Sequence, residues 1–541
     1  MRRRPRWLRM PGGAALGWIL LGALVLRVWS IKHGLPFVYN TDEEQHFVPR
    51  ALTMIGGTLD PHYFENPPAL TYLLFVVFKL RGFGSTLGHD PTAVFTTARF
   101  IVALIGTLSV GLIYWAGARF YERRVGLVAA VLMACAFLPV FYAKQALNDA
   151  LTLVPLTVAL VASLFLYQDG RRRHWVLAGA AVGVATDVKY TAAAMAVVVG
   201  LAGLLRVLEK RDTLRQLVAG GVISAVVFGV VVVLLDPYML PHFSLWRHQV
   251  TGQAGTAGRS AKLGQSSQPG WTYYLWTLTW GFGWIPTFAA AAGAALALRK
   301  DRAKGLLLVV FPVLLFLFLG GQARHFGRWF MPAYPALAIL AAYAGVRAVD
   351  ALPDAWGWTR RRGVLVGVMA ALLAMQGLWS SVRVNSVFSK TDTRTLARQY
   401  IEHTVPAGSG LVVEPAVYPK NFLTVGKPRN SYRMFKISPP FQGYERKLTP
   451  ALIDTYRQGG YCWVLVSSYQ HDRGLNAGLA NARAYYARLA AESAPPVVFS
   501  PYRFGAKPVH FNFDLSYDFL PRSYARPGPL MQLYHLNGCG T

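Results

Sequence analysis

The chain has 541 residues, 54% hydrophobic and only 15% charged, with a mean hydropathy of +0.33. Soluble globular chains carry about 25% charged residues, so a soluble enzyme is excluded, and the apolar, non-repetitive composition excludes a disordered or collagen-like chain. A net charge of +30 invites a nucleic-acid partner, so the placement of the charges matters. The three cysteines, Cys135, Cys462 and Cys539, stand far apart, form no metal-ligand spacing and demand no disulfide.

Apolar runs separated by short polar breaks extend from Ala14 to about Ser381. A helix needs roughly 20 apolar residues to cross a bilayer. The pattern predicts eleven spans, near 14–31, 93–118, 125–142, 150–168, 175–190, 192–207, 216–235, 271–298, 305–320, 329–349 and 364–381. The run 69–80 is too short to cross and reads as a juxtamembrane helix on the outer face. Basic residues mark six breaks: Arg2 to Arg9, 119–124, 171–173, 206–215, 299–304, and Arg347 with 360–362. These hold 23 of the 55 basic residues, and with eleven spans all six fall on one side. The positive-inside rule makes that side cytoplasmic. The reading is a multi-pass protein of the cell (inner) membrane, N-terminus in the cytoplasm and C-terminus outside. The charge is then an orientation signal, and no nucleic acid is expected.

Residues 1–381 form the membrane domain, with outer loops at 32–68 and 236–270. Residues 382–541 read as an extracytoplasmic α/β domain. LARQYIEHTV and GLNAGLANARAYYARLAAE have helical periodicity, and SGLVVEP and YCWVLVSS read as strands. This domain carries 19 basic against 9 acidic residues, a surface suited to anionic membrane lipids or an acidic acceptor.

The first outer loop concentrates acids in Tyr39-Asn40-Thr41-Asp42-Glu43-Glu44-Gln45-His46 and then gives Tyr63-Phe64-Glu65-Asn66-Pro67-Pro68. The plain reading is a helix start, with Thr41 as N-cap and Glu44 as its capping-box partner. Other polar residues stand at span ends on the same outer face: Asn148 and Asp149, Asp187 and Lys189, and Arg324, His325 and Arg328. For each alone, snorkelling or an ion pair explains as much as function. Together they would build an outward cavity of carboxylates and cations. Carboxylates suit general-base work and cations suit phosphate. The loop 236–270 adds His242, His248, Arg259 and Lys262 in a glycine-rich stretch that reads as a disordered connector or a mobile lid. It has no GKS/T, so no nucleotide cofactor is expected.

In this order and sidedness the motifs resemble the GT-C class of polytopic glycosyltransferases. The bacterial branch similar to protein O-mannosyltransferases and to the aminoarabinose transferase of lipid A is the nearest in pattern. The resemblance rests on Asp42-Glu43 after the first span, Tyr63 to Pro68, Asp149, Lys189, and RHFGRWFMPAYP at 324–335. It implies a GT-C fold with a small C-terminal α/β domain. It also implies transfer of a sugar from a polyprenyl-phosphate donor to a hydroxyl of a protein, lipid or glycan acceptor, with inversion. Asp42 would be the general base and Glu43 its assistant. Lys189, Arg328 and Arg324 would hold the donor phosphate, with Asp149 and His325 in support. Glu65, and by a looser match His248, would ligate a divalent metal. One departure is visible: the lysine that follows the glutamate in the lipid A enzyme is Asn66 here. The alternative reading is a polytopic transporter or flippase, against which no internal repeat relates two halves of the chain. A membrane-anchored assembly protein would leave the acidic loop without a purpose.

Overall fold

The computed structural model describes residues 13–88, 90–265, 268–353, 361–415, 417, 432–437 and 443–539. Arg2 to Arg9, Arg360 and residues 266–267 of the glycine-rich loop, all used in the sequence reading, lie outside them. Among the described residues, eight helical segments are long and apolar enough to cross a membrane, beginning with Thr92–Phe120 and ending within Arg362–Thr404. The other three expected spans are shorter helices. Gly13–Val28 has 16 residues and Arg172–Val188 has 17. The run 125–142 is broken at Ala136 into Arg123–Cys135 and Phe137–Tyr142. Pro139 explains the break: it lacks the N–H that would bond Cys135 and its ring clashes with that carbonyl. The carbonyl is taken by the Ser381 hydroxyl, which donates to it at 3.2 Å. Ala69–Leu80 is the short apolar helix the sequence predicts.

Small residues let the helices approach, as expected where lipid offers no hydrophobic drive between helices. A Cβ at Gly126 would collide with the Tyr114 carbonyl, and one at Gly293 with the Leu340 carbonyl. The helix Leu214–Leu235 lies at the rim instead. It exposes Val218, Val222, Val226 and Val230 at every fourth position, one continuous lipid-facing stripe. Its N-terminus is closed by a capping box of Thr213 and Gln216.

Beyond the last long helix the chain forms a five-stranded mixed sheet. The strands are β1 (Gly410–Val413), β2 (Arg433–Met434), β3 (Trp463–Ser467), β4 (Val497–Phe499) and β5 (Met531–His535), in the order β2-β1-β3-β5-β4. β1 runs parallel to β2 and β3, while β5 is antiparallel to β3 and β4. Helices Thr393–Thr404 and Ala480–Ala491 fall where periodicity puts them. Cys462 and Cys539, whose spacing in the sequence demands no disulfide, form one. Cys462 precedes β3 and Cys539 follows β5, its antiparallel neighbour, so residues 77 apart in sequence meet through strand pairing.

The sheet region is tied to the first outer loop. Tyr39 meets the Thr395 hydroxyl at 2.8 Å, and the Arg394 and Arg398 guanidinium groups lie over the rings of Tyr39 and Phe37. A return segment between β4 and β5 packs into the helical core through Leu520 and Tyr524.

Candidate active site

A cavity of about 810 Å³ opens between the helical bundle and the sheet region. Three stretches build most of its polar wall: 39–67 of the first loop, 142–149 with Lys189, and 513–518 of the return segment.

The first stretch is set by Asn40 rather than by Thr41. The Asn40 carboxamide accepts from the N–H groups of Asp42 and Glu43 at 3.0 and 3.1 Å, capping a π-helical turn Glu43–Phe47. In that turn, neighbouring acids point in different directions. Asp42 faces the cavity. Glu43 is fully buried on the other side, where Arg99 donates to it at 2.6 and 2.8 Å and the Ala146 N–H at 2.9 Å. Glu43 therefore positions the turn and does not reach the cavity.

Asp42 begins a row of alternating charges along the wall. Arg328 donates to Asp42 at 2.6 Å and its Nε lies 3.8 Å from Asp149, which pairs with Lys189 at 2.5 Å. Burial by itself would raise the Asp42 carboxyl, but the charges of Arg328 and His46 hold it below the usual carboxylate range. Asp42 is thus an ionised carboxylate held by Arg328. Arg324 and Lys262 line the same cavity and have no carboxylate within ion-pair distance among the described residues. Burial, and then the neighbouring Arg324, push the Lys262 ammonium down to about 8. Two cations outside ion-pair distance of any described carboxylate share one recess, which suits an anionic ligand.

Not every predicted residue arrives. Glu65 lines the cavity. Asn66 also lines it and donates to the Tyr63 hydroxyl at 2.7 Å, so a neutral amide stands at this point of the wall. His325 is buried against Tyr273 with rings 5.0 Å apart and does not line the cavity. His248 is exposed on the helix Phe243–Arg259, also outside the lining. Among the described residues Glu65 and His248 belong to no set of three side chains able to share an ion.

Sequence reasoning missed the return segment. Asp514 accepts from the Tyr273 hydroxyl at 2.6 Å and the Gly327 N–H at 3.3 Å, and Asp518 from the Tyr142 hydroxyl at 2.6 Å. Burial raises both carboxyls, Asp514 to about 6 and Asp518, with Asp514 adding repulsion, to about 7. The available signal was FNFDLSYDF, two acids set among aromatics.

Residues 65–235 match the family described as dolichyl-phosphate-mannose-protein mannosyltransferase. The chain is 24% identical over 341 residues to the undecaprenyl phosphate-alpha-4-amino-4-deoxy-L-arabinose arabinosyl transferase of Erwinia tasmaniensis. That match takes in 60% of this chain and spans 58% of the relative's length. The structure of ArnT from Cupriavidus metallidurans bound to undecaprenyl phosphate superposes with a TM-score of 0.58 at 16% identity, covering 97% of this chain and 98% of that one. The oligosaccharyltransferase AglB from Archaeoglobus fulgidus, solved with an inhibitory peptide and a dolichol-phosphate, gives 0.55 at 12% identity over 90% of this chain and 73% of that one. The chain has the GT-C fold of these polytopic membrane proteins.

Proposed function

We propose that this GT-C chain is a glycosyltransferase that moves a sugar from a polyprenyl-phosphate donor to an acceptor hydroxyl on the outer face of the membrane. The observation that carries the reading is the row Asp42, Arg328, Asp149 and Lys189 on the wall of one cavity. The relatives act on or are bound to undecaprenyl- and dolichyl-phosphate compounds by their descriptions, and the cations fit the same phosphate chemistry.

The polyprenyl phosphate is already a leaving group, so the protein needs a base and a counter-charge. The acceptor oxygen attacks the anomeric carbon from the face opposite the phosphate, and its proton passes to the Asp42 carboxylate. The carbon–oxygen bond to phosphate breaks with its electron pair, and the anomeric centre inverts. Lys189 and Arg328, with Lys262 and Arg324, meet the charge that grows on the phosphate. Arg328 links the two tasks. A phosphate beside it competes with Asp42 for the guanidinium, which frees the carboxylate as the donor arrives. Asp149 holds Lys189 in place.

Two features support an extracytoplasmic reaction. Residues of 39–67 and 513–528 line the same cavity, so the first loop and the C-terminal region share one side of the membrane. The Cys462–Cys539 disulfide suits an oxidising compartment.

The test is Asp42→Asn, assayed for sugar transfer from a short-chain polyprenyl-phosphate sugar in detergent with donor binding measured in parallel. The expected result is a turnover drop of about 10²–10⁴ with donor still bound. Turnover at the wild-type rate would remove Asp42 as base.

A further inference from the structure

Outside the cavity, the first outer loop and the segment after Leu214–Leu235 meet at three side chains with metal-ligand chemistry. Asp60, His62 and His242 each offer one ligand atom, and these atoms all lie within 4.8 Å of one another. Asp60 Oδ2 is 2.5 Å from His242 Nε2 and 3.2 Å from His62 Nε2. The other carboxylate oxygen is anchored, accepting from the His62 N–H at 2.9 Å, while the Asp60 N–H donates to the Thr58 hydroxyl at 2.8 Å. Such support from a neighbouring donor aims a carboxylate ligand. His62 holds a left-handed backbone at φ 44°, uncommon for a residue with a side chain, and its ring stands 4.8 Å from that of His242.

Further acids stand nearby. Asp60 pairs only with the two histidines among the described residues. Asp187 and Asp236, which act electrostatically on Tyr72 together with Asp60, are buried and each keeps an oxygen with no hydrogen-bond partner. A buried carboxylate without a counter-charge is costly. Asp60 adds repulsion to Asp236, and a divalent ion held by the trio offsets it. The Asp60 side chain is 8% exposed and that of His62 is 62% exposed, so the trio is a buried carboxylate opening toward solvent at His62.

We propose that Asp60, His62 and His242 form a site for a divalent transition-metal ion, of which zinc is the natural occupant for two imidazoles and a carboxylate. None of the three lines the cavity, so the ion is not part of the transfer chemistry. It fastens residues 58–62 to the segment after Asp236, beside the bond from the Phe64 N–H to Gln249 at 2.5 Å. The chain that follows His62 carries Tyr63, Glu65 and Asn66 into the cavity wall, and the helix that follows His242 carries Val250, Gln253 and Ala257 there. The ion therefore sets the spacing of two cavity walls.

The experiment uses the purified full-length chain in detergent, stripped with chelator and titrated with zinc. Bound metal is measured after gel filtration, and thermal midpoints with and without zinc. The expected wild-type result is one zinc per chain and a raised midpoint. The double variant His62→Ala/His242→Ala should lose both. His62→Ala, at an exposed residue whose loss leaves packing intact, should weaken zinc by about 10–100-fold. The pair Glu65→Ala/His248→Ala should bind zinc as the wild type does. No zinc on the wild-type chain, or zinc retained by the first double variant, overturns the assignment. So does zinc lost only from the second.

Discussion

At the residue scale, Asp42 and Glu43 are adjacent in sequence and opposite in role. Asp42 faces the cavity and is held there by Arg328, whereas Glu43 is a buried anchor for Arg99. Glu43→Gln should cost about 3–5 kcal/mol, because removing one partner of a buried pair leaves the other charge unmatched. A denaturant titration would read this, and an unchanged midpoint would show that the pair does not hold the turn. Lys262 supplies a pH dependence. Its ammonium, held down to about 8, is charged below that value and lost above it. Donor KM should therefore rise as pH passes 8, and Lys262→Arg, which stays charged, should flatten the rise. An identical profile in both proteins would exclude Lys262 from the phosphate site.

At the scale of elements, one covalent link and one return segment hold the sheet in place. The Cys462–Cys539 bond closes a loop of 77 residues. In the chain-entropy view a long loop loses much freedom when closed, so Cys462→Ser should destabilise the sheet region by about 2–5 kcal/mol. Limited proteolysis of β3 and β5 would report it, and wild-type resistance would contradict it. The return segment brings an opposite liability. A carboxyl held up to about 7 when folded, as at Asp518, and ordinary when unfolded withholds stability as pH rises from the carboxylate range through 7. Asp518→Asn keeps an acceptor for Tyr142 and removes that loss. Its thermal midpoint should exceed the wild type's by more at pH 8 than at pH 5.

At the scale of the whole molecule, orientation and cavity are one question. The six basic breaks lead us to propose that the C-terminus lies outside, and the cavity shared by the first loop and the C-terminal region agrees with that orientation. A reporter fused after Thr541 that matures only outside the cytoplasm should be active. An inactive outer reporter paired with an active cytoplasmic one would reverse the topology and dissolve the outward cavity.

Much of this was legible in one dimension. Hydropathy determined the apolar segments, the short helix 69–80 and the strands β1 and β3, because burial in lipid or in a sheet imposes a local composition. The order and sidedness of Asp42, Asp149, Lys189 and Arg328 pointed to a common cavity because charge at a membrane surface is too costly to be scattered there without use. Pairing was another matter. That Glu43 turns away, that His325 and His248 stay outside the cavity, and that Asp514, Asp518 and Lys262 enter it depends on side-chain direction and on segments hundreds of residues apart. The disulfide and the Asp60, His62 and His242 trio arise in the same way. Sequence by itself determined the class of the protein and one end of its charge row, since composition and hydropathy act locally. Only the tertiary structure decided which charges face each other, because an ion pair or a ligand set is a distance in space, and chain order does not contain it.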